Sequence, residues 1–167
     1  MQVQKQQQDV ATGRTLVLGM GNTLVSDDGV GIHAVRAFRE RVNGARPHVA
    51  IEETPVAGPA LITLISGYDE VIVVDAVRTR DSEPGAVHVI ELDALRDTHH
   101  TANPHSLNLY TAVELARRCG LPAPRRIRII AVEILDDVNV CEQCTPRVQD
   151  AIPHVLDILD HLTDIPS

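Results

Sequence analysis

Thr15 to Met20 (TLVLGM) and Glu70 to Val74 (EVIVV) are short apolar runs without the polar alternation of a sheet wetted on one face. Such runs read as strands buried on both sides, the kind found in parallel sheets covered by helices. The intervening stretches supply those helices. Val30, Ala34, Phe38 and Val42 recur every four residues, and Ile32, Val35 and Ala37 widen the stripe, so an amphipathic helix is predicted from about Asp28 to Val42. Val49 to Glu53 predicts a second strand, Pro59 to Ile65 a helix stopped by Gly67, and the alternating Ala86 to Leu92 a fourth strand. A helix opened by Asn103-Pro104 runs to Cys119, capped by Gly120, and a fifth strand spans Arg126 to Val132. Thr145-Pro146 opens a last helix, which Pro153 should kink or restart, an interior proline costing about 3 kcal/mol. Strands alternating with helices predict an α/β sandwich with a mostly parallel sheet. The ten residues from Ala76 to Gly85 carry Pro84 and no helical stripe, too short for a parallel crossover, so the fourth strand is predicted antiparallel. Residues 1–13, Gln-rich from Met1 to Asp9, read as a disordered tail, and 14–165 as a single domain.

Composition narrows the functional classes. Aromatic residues are 2% of the chain, with no Trp, so the core must be aliphatic and stacking platforms for single-stranded nucleic acid are lacking. Fifteen Lys and Arg against 23 Asp and Glu leave a net charge of −8, which disfavours duplex binding. No apolar run approaches the roughly 18 residues of a membrane span, and Met1 to Asp9 has no apolar segment of a signal peptide. Three cysteines are too few and odd in number for a disulfide framework. A cytoplasmic monomer is expected, without nucleic-acid or membrane partners.

Four places can carry chemistry. The turn after the first strand, Gly19-Met20-Gly21-Asn22-Thr23-Leu24, begins like a dinucleotide loop, but Leu24 stands where the third glycine belongs. Asp27 and Asp28 then occupy the helix end that a phosphate would use. Two readings stand open: Asp27 as N-cap with Asp28 as a first-turn acid favoured by the helix dipole, or carboxylates awaiting a cation. Asp75 follows the third strand, at the sheet end where open α/β sheets bind ligands; there it either meets a ligand or caps a neighbouring loop. If strands one and three are neighbours, it shares a crevice with Asp28. His105 falls in the first turn of its helix, where the dipole favours the neutral imidazole that a metal needs, although a surface histidine has the same signature. His99 and His100 read as solvated loop residues. Asp28, Asp75 and His105 together make a three-ligand site with open positions, suited to nickel or zinc. Cys141-Glu142-Gln143-Cys144 precedes the last helix, whose N-terminus would lower a thiol pKa, but no second cysteine pair exists to complete a structural zinc site, and incidental loop thiols are the favoured reading.

The chain resembles a known family. Leu18-Gly19-Met20-Gly21-Asn22-Thr23-Leu24 followed by Asp27-Asp28-Gly29-Val30-Gly31 is similar to the opening signature of the hydrogenase maturation proteases. Val56-Ala57-Gly58, Val74-Asp75-Ala76, Pro104-His105-Ser106-Leu107 and Thr145-Pro146 with Val148 continue the likeness in order, from Thr15 to Leu162. The resemblance implies a three-layer α/β/α sandwich, phosphorylase/hydrolase-like, with a five-stranded mixed sheet and an antiparallel strand four. It implies an endopeptidase that removes a C-terminal peptide from the nickel-loaded precursor of a nickel–iron hydrogenase large subunit. It further implies that the nickel is carried by that precursor and bound by Asp28, Asp75 and His105, which would also be the catalytic residues. Glu53 and Gly58 match positions of substrate recognition, and Gly19, Gly21 and Asn22 form the structural loop. Two rivals are a non-catalytic nucleotide- or metal-binding module on a Rossmann-like fold and a redox protein working through Cys141 and Cys144.

Overall fold

The structure, a computed structural model, describes residues 13–55, 58, 60–79, 81–92 and 104–164, without the side chains of 104–108. The tail expected at 1–13 lies outside these residues except for Gly13. The elements are β1 (Thr15–Met20), a 3-10 turn (Ser26–Gly29), α1 (Val30–Val42), β2 (Val49–Thr54), α2 (Ala60–Ile65), β3 (Glu70–Val77), β4 (Val87–Glu91), α3 (Pro104–Arg118), β5 (Arg126–Glu133), α4 (Pro146–Gln149) and α5 (Ile152–Thr163).

The five strands form one sheet in the order β2-β1-β3-β5-β4. All neighbours run parallel except β4, which pairs antiparallel to β5, as the short connection from Ala76 requires. Alternation along the strands divides the core into two layers. Val17, Ile72, Val74, Ile130 and Val132 pack with Phe38 and Val35 of α1 and Val155 and Leu159 of α5. Leu16, Leu18, Val71, Val73, Ile127 and Ile129 pack with Leu61 and Ile65 of α2 and Leu109 and Val113 of α3. Helices thus cover both faces, and the architecture is a three-layer α/β/α sandwich. Among the described residues no helix is long and apolar enough to cross a membrane.

Two local expectations are corrected. The third strand does not end at Val74 but continues to Val77, because Asp75, Ala76 and Val77 pair with Ala131, Val132 and Glu133 of a β5 that is itself one residue longer than expected. The first helix begins at Val30 rather than Asp28, after a 3-10 turn in which no side chain caps the backbone. The last helix restarts around Pro153 as expected: Asp150 and Ala151 separate α4 from α5, and Pro153 sits at the second position of α5, where its missing N–H has no intrahelical role.

Candidate functional site

Glycines decide how close α1 comes to the sheet. A Cβ at Gly31 would collide with the carbonyl oxygens of Val74 and Met20, and one at Gly19 with Val35 and the Gly31 carbonyl. Gly21 has φ +135, and a Cβ there would run into the Asp28 carbonyl. The 3-10 turn carrying Asp28 therefore lies directly on the carboxyl ends of β1 and β3. Its neighbour across the gap is Val74, the residue before Asp75. Asn22 is exposed and steadies the same turn, its Oδ1 accepting the Leu24 N–H at 3.0 Å.

Asp75 is buried, at 2% exposure. By alternation with Val73 and Val77 it belongs to the α2/α3 face, opposite Ala131 of β5. The β1 ladder stops at Gly19 opposite Val74, so Asp75 is the first β3 residue past the end of that ladder. Such a strand end between two neighbours of unequal length opens a crevice.

The start of α3 reaches the same end. Past its C-terminus, Pro122 accepts a hydrogen bond from Ser66 Oγ at 3.3 Å, and the Arg125 N–H donates to the Asp69 carbonyl, beside the amino end of β3. Fifteen helical residues climb about 22 Å at roughly 1.5 Å each, which carries Pro104 and His105 to the carboxyl ends of the strands. The fold thus brings the Asp28 turn, Asp75 and the first turn of α3 to one end of the sheet. The His105 side chain lies outside the described residues, and among those described no three His, Cys, Asp or Glu side chains form a metal-binding group. Two carboxylates and an imidazole remain a donor set that suits a borderline divalent ion.

Asp27 is not an N-cap. It is fully buried, and no side-chain hydrogen bond caps α1. Its Oδ2 accepts the N–H groups of Leu135 and Asp136 at 3.0 and 2.9 Å and the Thr145 hydroxyl at 3.0 Å. Its Oδ1 accepts the Thr145 N–H at 2.6 Å. One carboxylate thereby satisfies three backbone donors of the segment between β5 and α4, and adjacent acids divide into an internal clamp and a half-buried Asp28.

Glu53, next to last in β2, makes a two-pronged pair with Arg36, which donates from Nε at 2.7 Å and from Nη2 at 3.1 Å. That hydrogen bonding holds its carboxyl below the ordinary range. Gly58 adopts φ +83 with open space around it, a conformation suited to glycine; its neighbours Val56 and Ala57 lie outside the described residues.

The cysteines behave as incidental thiols, and the lowering of a thiol by the nearby helix does not occur at Cys144. Cys144 is buried in the α1/α5 core, and burial, with Asp27 beside it, pushes its thiol up to about 11 rather than down. Cys141 is exposed, and neither residue is in a disulfide. Local motif reading missed Glu133: it looked like the residue after a strand, whereas it is 1% exposed and accepts hydrogen bonds from the Thr79 N–H at 3.0 Å and hydroxyl at 2.6 Å.

The family model described as hydrogenase maturation protease matches residues 32–161. The hydrogenase 2 maturation protease of Escherichia coli (strain K12) is 28% identical over 147 residues, covering 86% of this chain and 87% of that protein. A hydrogenase expression/formation protein, HupD of Rhizobium leguminosarum bv. viciae, is 38% identical over 146 residues, covering 86% and 71%. Among solved structures, the hydrogenase maturating endopeptidase HybD from E. coli superposes with a TM-score of 0.74 at 25% identity, covering 89% of this chain and 91% of that one. The maturation protease HybD from Thermococcus kodakarensis, at 20% identity and a TM-score of 0.66, covering 90% and 99%, shares the fold. Neither rival reading is favoured by these matches. With its signature glycines seating α1 on the sheet and its likeness running through nearly the whole domain, the chain belongs to the hydrogenase maturation protease family.

Proposed function

We propose that this chain removes a C-terminal peptide from the nickel-loaded precursor of a nickel–iron hydrogenase large subunit, acting as a cytoplasmic monomer in which Asp28, Asp75 and His105 bind the nickel that the precursor carries. Its family makes it an endopeptidase of hydrogenase large-subunit maturation. What carries the site assignment is the meeting of three chain segments at one sheet end: the Asp28 turn seated by Gly21 and Gly31, the β3 residue just past the β1 ladder, and the first turn of α3. A protein substrate is supported by the rim of this end. Leu24, Leu135, Val138 and Val140 are all exposed there, Val140 at 88%, on two loops joined by hydrogen bonds from the Cys141 N–H to the Leu24 carbonyl and from the Ser26 N–H to the Cys141 carbonyl.

The nickel of the precursor supplies Lewis-acid polarisation of the scissile carbonyl or of a water. Asp28, Asp75 and His105 orient the precursor by that ion, and a carboxylate not fully engaged by it takes the proton of the attacking water. Three ligands alone hold free metal weakly, since further donors must come from the precursor. The metal-free protein should therefore cleave nickel-loaded precursor and leave the nickel-free form uncut. Equal cleavage of both forms overturns the metal-checking role and turns Asp28 and Asp75 towards direct carboxylate catalysis.

A further inference from the structure

A cavity of about 330 Å³ opens beside Asp75, on the α2/α3 face of the sheet. Its apolar walls are Val77, Ile90 and Ala131, from three adjacent strands. Ala131 is the register partner of Asp75, and Val77 that of Glu133, which also lines the cavity. With strands about 4.8 Å apart and about 6.6 Å between residues on one face, the Cα atoms of Asp75 and Glu133 stand roughly 8 Å apart. That is two to three residues of extended peptide at about 3.3–3.6 Å each.

The cavity is polarised. Glu133 is a buried carboxylate whose partners are the amide and hydroxyl of Thr79, both neutral. A carboxylate accepts about four hydrogen bonds, so among the described residues half of its capacity is unused. Asp81 adds a second carboxylate at the exposed rim. The one basic group among the described lining is His88, whose Nε2 is already within hydrogen-bond distance of Ser82 Oγ, 3.0 Å. Apolar walls with a buried anion at their base match a long side chain with an alkyl stem and a cationic head. The volume is at the small end for ligand pockets and suits one side chain rather than a folded element.

We propose that this cavity is a specificity subsite that takes an arginine or lysine side chain of the precursor, within about three residues of the bond cut, with Glu133 as its buried counter-charge and Asp81 as a guiding charge at the mouth. The inference rests on the endopeptidase reading, because it assigns the cavity to the same extended substrate that Asp75 meets.

The test measures kcat/KM on nickel-loaded precursor and on precursors in which each Arg or Lys near the cut is replaced, one at a time, by Met. Wild-type protein, Glu133→Gln and Asp81→Lys are compared, with thermal melting beside them. Glu133→Gln should lower kcat/KM on the natural precursor by about 10- to 100-fold, the usual worth of a hydrogen bond to a charged group. One precursor replacement should lower wild-type cleavage similarly and cause no further loss in Glu133→Gln. Should Glu133→Gln unfold, Asp81→Lys, at an exposed position, carries the same comparison: it should slow the natural precursor and process a Glu replacement at that one position better than wild type does. Additive losses, or no effect of any replacement, overturn the subsite while leaving the endopeptidase reading intact. Absence of wild-type cleavage of the natural loaded precursor overturns that reading and the subsite with it.

Discussion

Thr145 donates twice to Asp27, from its backbone N–H to Oδ1 at 2.6 Å and from its hydroxyl to Oδ2 at 3.0 Å, across 118 residues of sequence. The pair fixes the entry of α4 against the turn that carries Asp28. Two adjacent carboxylates therefore have separable duties. Asp27→Asn puts an amide donor among donors that need an acceptor, and should cost about 2–4 kcal/mol, lowering Tm by roughly 4–16 °C. Asp28→Asn, at a half-buried position, should change Tm little and abolish processing of loaded precursor, and His105→Ala should behave likewise. Melting curves beside a cleavage assay distinguish them; a cleaving Asp28→Asn protein would remove that residue from the site.

Gly31 should tolerate no side chain. The two carbonyl oxygens that its Cβ would strike belong to Met20 and Val74, at the ends of β1 and β3, and neither can yield without moving a strand. Gly31→Ala should cost at least about 1–3 kcal/mol and lift the Asp28 turn away from Asp75, so kcat/KM should fall in the fraction that stays folded. Wild-type melting and activity in this variant would show that α1 can shift freely.

The three cysteines should differ in reactivity. Alkylation of native protein near pH 7.5, read by mass spectrometry, should label exposed Cys119 and Cys141 and spare Cys144, whose thiol stays protonated well above that pH. Labelling of Cys144 as fast as Cys141 would contradict its burial.

The Arg36–Glu53 pair predicts a small pH-dependent stability term. Hydrogen bonding from Arg36 depresses the Glu53 pKa from its ordinary 4.5. A depressed folded-state pKa adds stability that is fully present above the unfolded pKa and is lost as pH falls through the folded value. Both side chains are partly exposed, so the contribution stays below about 1 kcal/mol. Glu53→Gln should melt slightly below wild type at pH 7, and the difference should narrow as pH falls below 4.5. A gap that persists at pH 3 would assign the effect to packing.

Local pattern was enough for the layers of this fold. Apolar runs at β1 and β3 had to be buried on both faces, the four-residue stripe at α1 had to cover one of them, and ten residues without a helix could return β4 only antiparallel. The place of Asp28 just past β1 was legible for the same reason, whereas Asp75 lies inside β3, whose end was set by pairing with β5 rather than by local hydrophobic pattern. Tertiary structure alone decided what neighbouring acids do. Asp27 became a clamp because the backbone donors of Leu135, Asp136 and Thr145, more than a hundred residues away, arrive around it. Cys144, beside a helix N-terminus that alone would lower its thiol, is instead kept protonated because α1 and α5 enclose it. Glu133 became the floor of a cavity because β3 runs on past β1 to pair with it. Hydrophobic periodicity is a property of one segment, whereas the burial and hydrogen-bond partners of a charged group depend on which distant segments pack against it.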